Sequence, residues 1–75
     1  MALENLPGKI KEFRERRDLN QEELGKLVGV DRSAVAKWES GANIPSLENM
    51  VEIAKALRST VDELLGLRRR KGKKG

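Results

Sequence analysis

The residues of this 75-residue chain best suited to chemistry lie together in one segment, DRSAVAKWESG, at positions 31–41. On a helix, Arg32 falls in the first turn of that segment and Lys37 in the second, with the small Ser33 and Ala36 between them. A guanidinium can donate two parallel hydrogen bonds to the O6 and N7 of guanine, worth about 1–3 kcal/mol of discrimination. A lysine ammonium reaches a base edge or a phosphate, and a serine hydroxyl serves as donor or acceptor. Small residues between them let a helix come close to its target. The chemistry on offer is hydrogen bonding to base edges rather than the making of bonds.

The usual tools of catalysis are missing. With no cysteine and no histidine, the chain lacks thiolate and imidazole metal ligands, Cys and His nucleophiles and the proton shuttle that works near neutral pH. It has no Gly-rich phosphate loop. Glu22, Glu23, Glu48 and Glu52 read as solvated carboxylates with helical partners such as Lys26 and Lys55. No enzyme activity, metal or cofactor is expected.

The elements that must position the segment are helices. Apolar residues recur at helical spacing in four stretches and a short fifth, and no stretch alternates as a half-buried strand would. A first helix is expected from near Pro7 to about Arg17, with Leu6, Ile10 and Phe13 on one face and Arg14, Arg16 and Arg17 crowding its end. Asn20 and Glu23 form a capping box at the start of a second helix, with Leu19 and Leu24 as its staple and Gly29 as its stop. Asp31 caps the third helix, Val30 and Val35 repeat the staple, and Gly41 ends it. Two short helices joined through a glycine form a helix-turn-helix pattern. Ser46 opens a fourth helix whose expected apolar stripe is Leu47, Met50, Val51, Ala54 and Leu57, and Thr60 with Glu63 caps a fifth over Val61, Leu64 and Leu65.

At about 100° per residue, the third helix turns Val35, Trp38 and Glu39 one way and Ser33, Ala36, Lys37 and Ser40 the other. The first set packs; the second is free to recognise, or is simply a solvated polar face. Trp38 reads as core rather than a stacking platform, because no second aromatic continues a base-binding row. Glu39, turned inward, needs a partner, and Arg14 of the first helix is the candidate. Gln21 opens the second helix, where its amide and the unpaired first-turn N–H groups suit a phosphate oxygen, or where it is an ordinary surface glutamine.

Bulk charge does not decide the partner. The formal charge is +4, yet six of the sixteen basic residues lie between Arg68 and Lys74, so residues 1–67 carry ten basic and twelve acidic side chains. A domain over 1–67 and a disordered basic tail over 68–75 are expected, the tail following phosphates, binding RNA or aiding solubility. No signal peptide or long apolar run appears, so a cytoplasmic, nucleoid-associated protein with no membrane partner is expected.

The run NQEELGKLVGVDRSAVAKWESGANIPSLENMVEIAKALRSTVDELL resembles the helix-turn-helix family of phage repressors and Cro proteins. It carries the family's Gln at the start of helix 2, the Trp-Glu-x-Gly end of helix 3, the following Pro and the closing Asp-Glu-Leu-Leu. The resemblance covers about Ile10 to Leu65. It implies a five-helix, lambda-repressor-like bundle that binds double-stranded DNA, commonly as a homodimer on a palindrome. It implies base contacts from Arg32, Ser33 and Lys37, phosphate contacts from Asn20, Gln21 and the loop around Asn43, and an Arg14–Glu39 pair that ties the architecture. Gly25 stands where the family more often has Ala, which weakens helix 2 or lets it pack closer to a neighbour. Val61, Leu64, Leu65 and Leu67 exceed what a short terminal helix needs and could form the dimer contact, or simply close the core.

The function expected is that of a sequence-specific transcriptional regulator, a repressor first. The alternative within the fold is an antitoxin or restriction-modification controller that also binds a protein partner such as a toxin. A general nucleic-acid binder, relying on its tail, is a different class.

Overall fold

The computed structural model describes residues 5–66, which form five α-helices and no strand: α1 Leu6–Arg16, α2 Gln21–Val28, α3 Arg32–Ser40, α4 Leu47–Ala56 and α5 Val61–Leu65. The helix starts follow their caps. Asn20 Oδ1 accepts from the Glu23 amide at 2.7 Å while Glu23 Oε1 accepts from the Asn20 amide at 2.8 Å. Thr60 and Glu63 repeat the arrangement at 3.1 and 2.9 Å. Asp31 and Ser46 accept from the amides of Ala34 and Asn49. Each cap satisfies a first-turn amide that has no partner within its helix, typically worth about 1 kcal/mol.

The stops are of two kinds. Gly29 and Gly41 end α2 and α3 in the left-handed conformation, at φ 96° and 86°, where glycine alone escapes steric cost. After α1 and α4 the left-handed residues are instead Asp18 and Arg58, at φ 57° and 56°. There the amides of Leu19 and Ser59 fold back onto the carbonyls of Arg14 and Ala54 at 3.2 and 2.8 Å.

One core joins all five helices. α1 packs on α3 and α5, α2 on α3 and α4, and α4 on α5. Leu6 and Ile10 meet Leu24, Val35, Trp38, Met50, Ile53, Ala54, Leu57 and Leu64 at its centre, with Phe13, Leu19, Val30, Val61 and Leu65 at its border.

Two expectations are corrected. The buried stripe of α4 is Met50, Ile53, Ala54 and Leu57, whereas Leu47 and Val51 are 71% and 37% exposed. Val51 points about 110° away from the direction shared by the four buried residues, and Leu47 opens the helix where no other element covers it. Leu64 is fully buried within the single chain, so it closes the core and is not available as a dimer contact; Val61 and Leu65 are half-buried against the same core. Leu67 and the basic segment 68–75 lie outside the described residues. No described helix is long and apolar enough to cross a membrane.

Candidate nucleic-acid interface

The turn between α2 and α3 fixes how α3 leaves α2. The Gly25 carbonyl accepts from both Gly29 and Val30 amides, at 2.7 and 2.8 Å. A Cβ on Gly25 would lie 2.7 Å from the Val30 carbonyl oxygen and 3.2 Å from that of Asp31. Backbone fills that space, so the glycine serves close packing: the chain entering α3 runs directly against α2.

The inner face of α3 holds it in place. Val35 and Trp38 are buried in the core. Behind them, Glu39 accepts from Arg14 Nε at 2.6 Å, from Arg14 Nη2 at 3.0 Å and from Gln21 Nε2 at 3.1 Å. Arg14 also donates through Nη1 to the Leu19 carbonyl at 2.7 Å. Only 10% and 6% of the Arg14 and Glu39 side chains are exposed. One carboxylate thus joins α1, the start of α2 and the end of α3. The hydrogen bond from Arg14 to Glu39 also raises the guanidinium's pKa above its ordinary value. Sequence reasoning found the pair; the structure adds Gln21 to it.

The outer face carries the candidate readers. Arg32, Ser33 and Lys37 are all exposed, and among the described residues neither Arg32 nor Lys37 makes a hydrogen bond or an ion pair. Ser40, on the same face, turns its hydroxyl back to the Lys37 carbonyl at 3.1 Å. Arg14, Asn20, Gln21, Glu22 and Arg32 line one open cleft, so Arg32 stands beside the start of α2. Asn43 stands elsewhere: it follows α3, its amide donates to the Lys37 carbonyl at 3.3 Å, and its side chain is exposed. The start of α2 lies alongside α3, since Gln21 reaches Glu39 in its last turn and lines a cleft with Arg32 in its first.

Two acidic residues stand beside the candidate readers at the start of α3, neither of them expected to do more than cap or meet solvent. Glu22 lines the cleft beside Arg32. Asp31 does more than cap: its Oδ1 accepts from the Ser33 hydroxyl at 2.9 Å as well as from the Ala34 amide at 3.1 Å. The Ser33 hydroxyl, then the Ala34 amide, with help from the Lys37 charge, hold the Asp31 carboxyl below its ordinary value. The sequence cue was present in the Asp-x-Ser spacing of an exposed first turn.

A helix-turn-helix family model matches residues 10–64. The chain belongs to the Cro and C1 type of helix-turn-helix domain. Over 57 residues, 76% of the chain, it is 40% identical to the transcriptional activator BcrR of Enterococcus faecalis, of which it covers 28%. Its fold is similar to that of the P22 c2 repressor solved in complex with a synthetic operator, with a TM-score of 0.79, 33% identity, and 84% and 96% of the two chains covered. It is also similar to the restriction-modification controller C.AhdI of Aeromonas hydrophila, with a TM-score of 0.78, 37% identity, and 83% and 94% covered. The chain spans about a quarter to a half of the length of the first curated relatives it matches. The Cro and C1 type of fold is all-α and lambda-repressor-like here, and its two-helix unit is the α2–α3 pair just described.

Proposed function

We propose that this chain is the DNA-reading domain of a transcriptional regulator, a repressor first, which binds a palindromic operator as a homodimer with one α3 in each of two major grooves roughly 34 Å apart. The observation that carries this reading is the outer face of α3. It presents two unpaired cations, Arg32 and Lys37, on a helix anchored from behind by a buried ion pair. Arg32 and Lys37, with Ser33, are assigned to base edges. Asn20, Gln21 and Asn43 are assigned to phosphates, Gln21 through the first-turn amides of α2, since its side-chain amide is held by Glu39. A cytoplasmic location follows from this role. Contact between copies is assigned to exposed Leu47 and Val51, one turn apart on α4, with Ile44 before them, and to the half-buried Val61 and Leu65.

Selection of bound duplexes from random DNA tests the reading. A short palindrome with guanine in each half-site is expected, and Arg32→Ala or Lys37→Ala should each abolish the preference at one position. Truncation after residue 67 should weaken binding to all sequences alike. No enrichment with the full chain would refute the assignment.

The likeness to C.AhdI over nearly its whole length favours a second reading, a restriction-modification controller acting on its own promoter. The genes beside this one decide between the two.

A further inference from the structure

The chemistry of Ser33 narrows what it can read. Its hydroxyl has one hydrogen to donate and two lone pairs to accept with. A carboxylate can only accept, so the 2.9 Å contact between Ser33 Oγ and Asp31 Oδ1 consumes that hydrogen. The same Oδ1 accepts from the Ala34 amide, which fixes the carboxylate to the first turn of α3. Both side chains are exposed on the turn that carries Arg32. Serine in a major groove ordinarily serves any base. With its hydrogen committed, Ser33 has only lone pairs left to offer.

We infer that Asp31 makes Ser33 an acceptor-only reader, so that the base under Ser33 in each half-site must be adenine or cytosine. Those two bases present an amino group in the major groove, N6–H2 and N4–H2. Guanine O6 and N7 and thymine O4 would instead place lone pairs against lone pairs. The Asp31 charge acts in the same sense, since it too repels acceptor edges and attracts amino groups. Arg32 next to it has the opposite character, all donors. The tip of the helix is therefore split into a donor that selects guanine and an acceptor pair that selects an amino base. This inference rests on the proposed DNA-reading role of α3.

Random-duplex selection with the full chain and three variants tests it. Ser33→Ala identifies the position that Ser33 reads, as the column whose preference is lost. In the wild-type chain that column should favour adenine or cytosine over guanine and thymine by about tenfold or more. Asp31→Gly removes the carboxylate at little cost to the cap and frees the hydroxyl to donate; the column should then admit guanine or thymine to within about threefold, with the Arg32 column unchanged. Guanine or thymine in the wild-type column overturns the inference. So does an Asp31→Gly profile identical to wild type, or a Ser33→Ala profile with no column altered. Arg32→Ala separates the levels: if it alters no column either, the DNA-reading role itself has failed.

Discussion

Replacing Glu39 with alanine should remove a large part of the stability of this domain without touching the outer face of α3. The variant deletes all three hydrogen bonds that Glu39 accepts from Arg14 and Gln21 and leaves Arg14 with the Leu19 carbonyl alone. The stranded guanidinium has a side chain only 10% exposed. Leaving a buried charge without its partner costs about 3–5 kcal/mol. A domain of this length has roughly 4–11 kcal/mol in total. With a urea m-value of about 1 kcal/mol/M, the unfolding midpoint should fall by about 3–5 M. Urea titration followed by circular dichroism reads the effect directly.

A surface pair supplies the control. Arg16 and Glu12 approach to 2.6 Å with side chains 65% and 43% exposed, so Glu12→Ala should cost less than about 1 kcal/mol. The double variant Arg14→Met, Glu39→Leu tests the mechanism, since it removes both charges and leaves apolar groups of similar length. It should be more stable than either Arg14→Met or Glu39→Leu alone. If Glu39→Ala costs no more than Glu12→Ala, Glu39 does not tie the helices together and the account of α3's anchoring is wrong.

Gly25→Ala gains about 1 kcal/mol of helix propensity but places a Cβ 2.7 Å from the Val30 carbonyl, for a net loss of about 1–2 kcal/mol in thermal unfolding; a net gain would show that the α2–α3 turn is not closely packed. Arg58→Gly relieves a left-handed arginine at φ 56° and should raise stability by about 1 kcal/mol, seen as a Tm higher by about 4–8 °C, whereas a lower Tm would mean that the arginine side chain outweighs its backbone strain. Asp31 sets a pH dependence: its folded pKa lies below the ordinary 3.8, so the folded state binds fewer protons than the unfolded one there, and the stabilisation is complete above 3.8 and lost as pH falls through the folded value. The stability difference between wild type and Asp31→Asn should therefore be constant from about pH 5 to 7 and shrink below about pH 4; a difference that grows on acidification would contradict the Ser33–Asp31 contact.

Local signals were legible wherever one residue decides a local geometry. Asn20, Asp31, Ser46 and Thr60 are caps whose side chains reach amides three residues on, and Gly29 and Gly41 are stops because of their φ. The same logic failed at Asp18 and Arg58, which take the left-handed position without the residue type that announces it. The inner and outer faces of α3 followed from the helical repeat alone, and the partner for Glu39 from the rule that a buried carboxylate must be paired. The repeat misled on α4, where Ile53 is buried and Leu47 and Val51 are not, because it gives an apolar arc but not which part of the arc another helix covers. Leu64 shows the same limit: a surplus of apolar residues looks like an interface until the packing of α1 and α4 around it is known. What no periodicity could supply was direction at the level of atoms, namely that Gln21 turns to Glu39 and that Ser33 gives its hydrogen to Asp31.

On the proposed reading, the placement of charge separates specificity from affinity. Attraction to DNA of any sequence comes from cations that neutralise phosphates. Residues 1–67 hold ten basic against twelve acidic side chains, and two of the acids, Glu22 and Asp31, stand at the reading end itself. Such a body grips random DNA weakly, because the anions repel phosphates. On its own operator the hydrogen bonds of Arg32, Ser33 and Lys37 add to the binding, so the ratio of specific to non-specific binding rests on those contacts while the anions lower affinity for every sequence. The six cations between Arg68 and Lys74 act on every sequence equally, and each that meets a phosphate steepens the salt dependence by about 0.9 in log–log slope. Their removal should lower affinity and flatten that slope while leaving the ratio between operator and random DNA unchanged, so the two quantities can be tuned by changes in different parts of the chain.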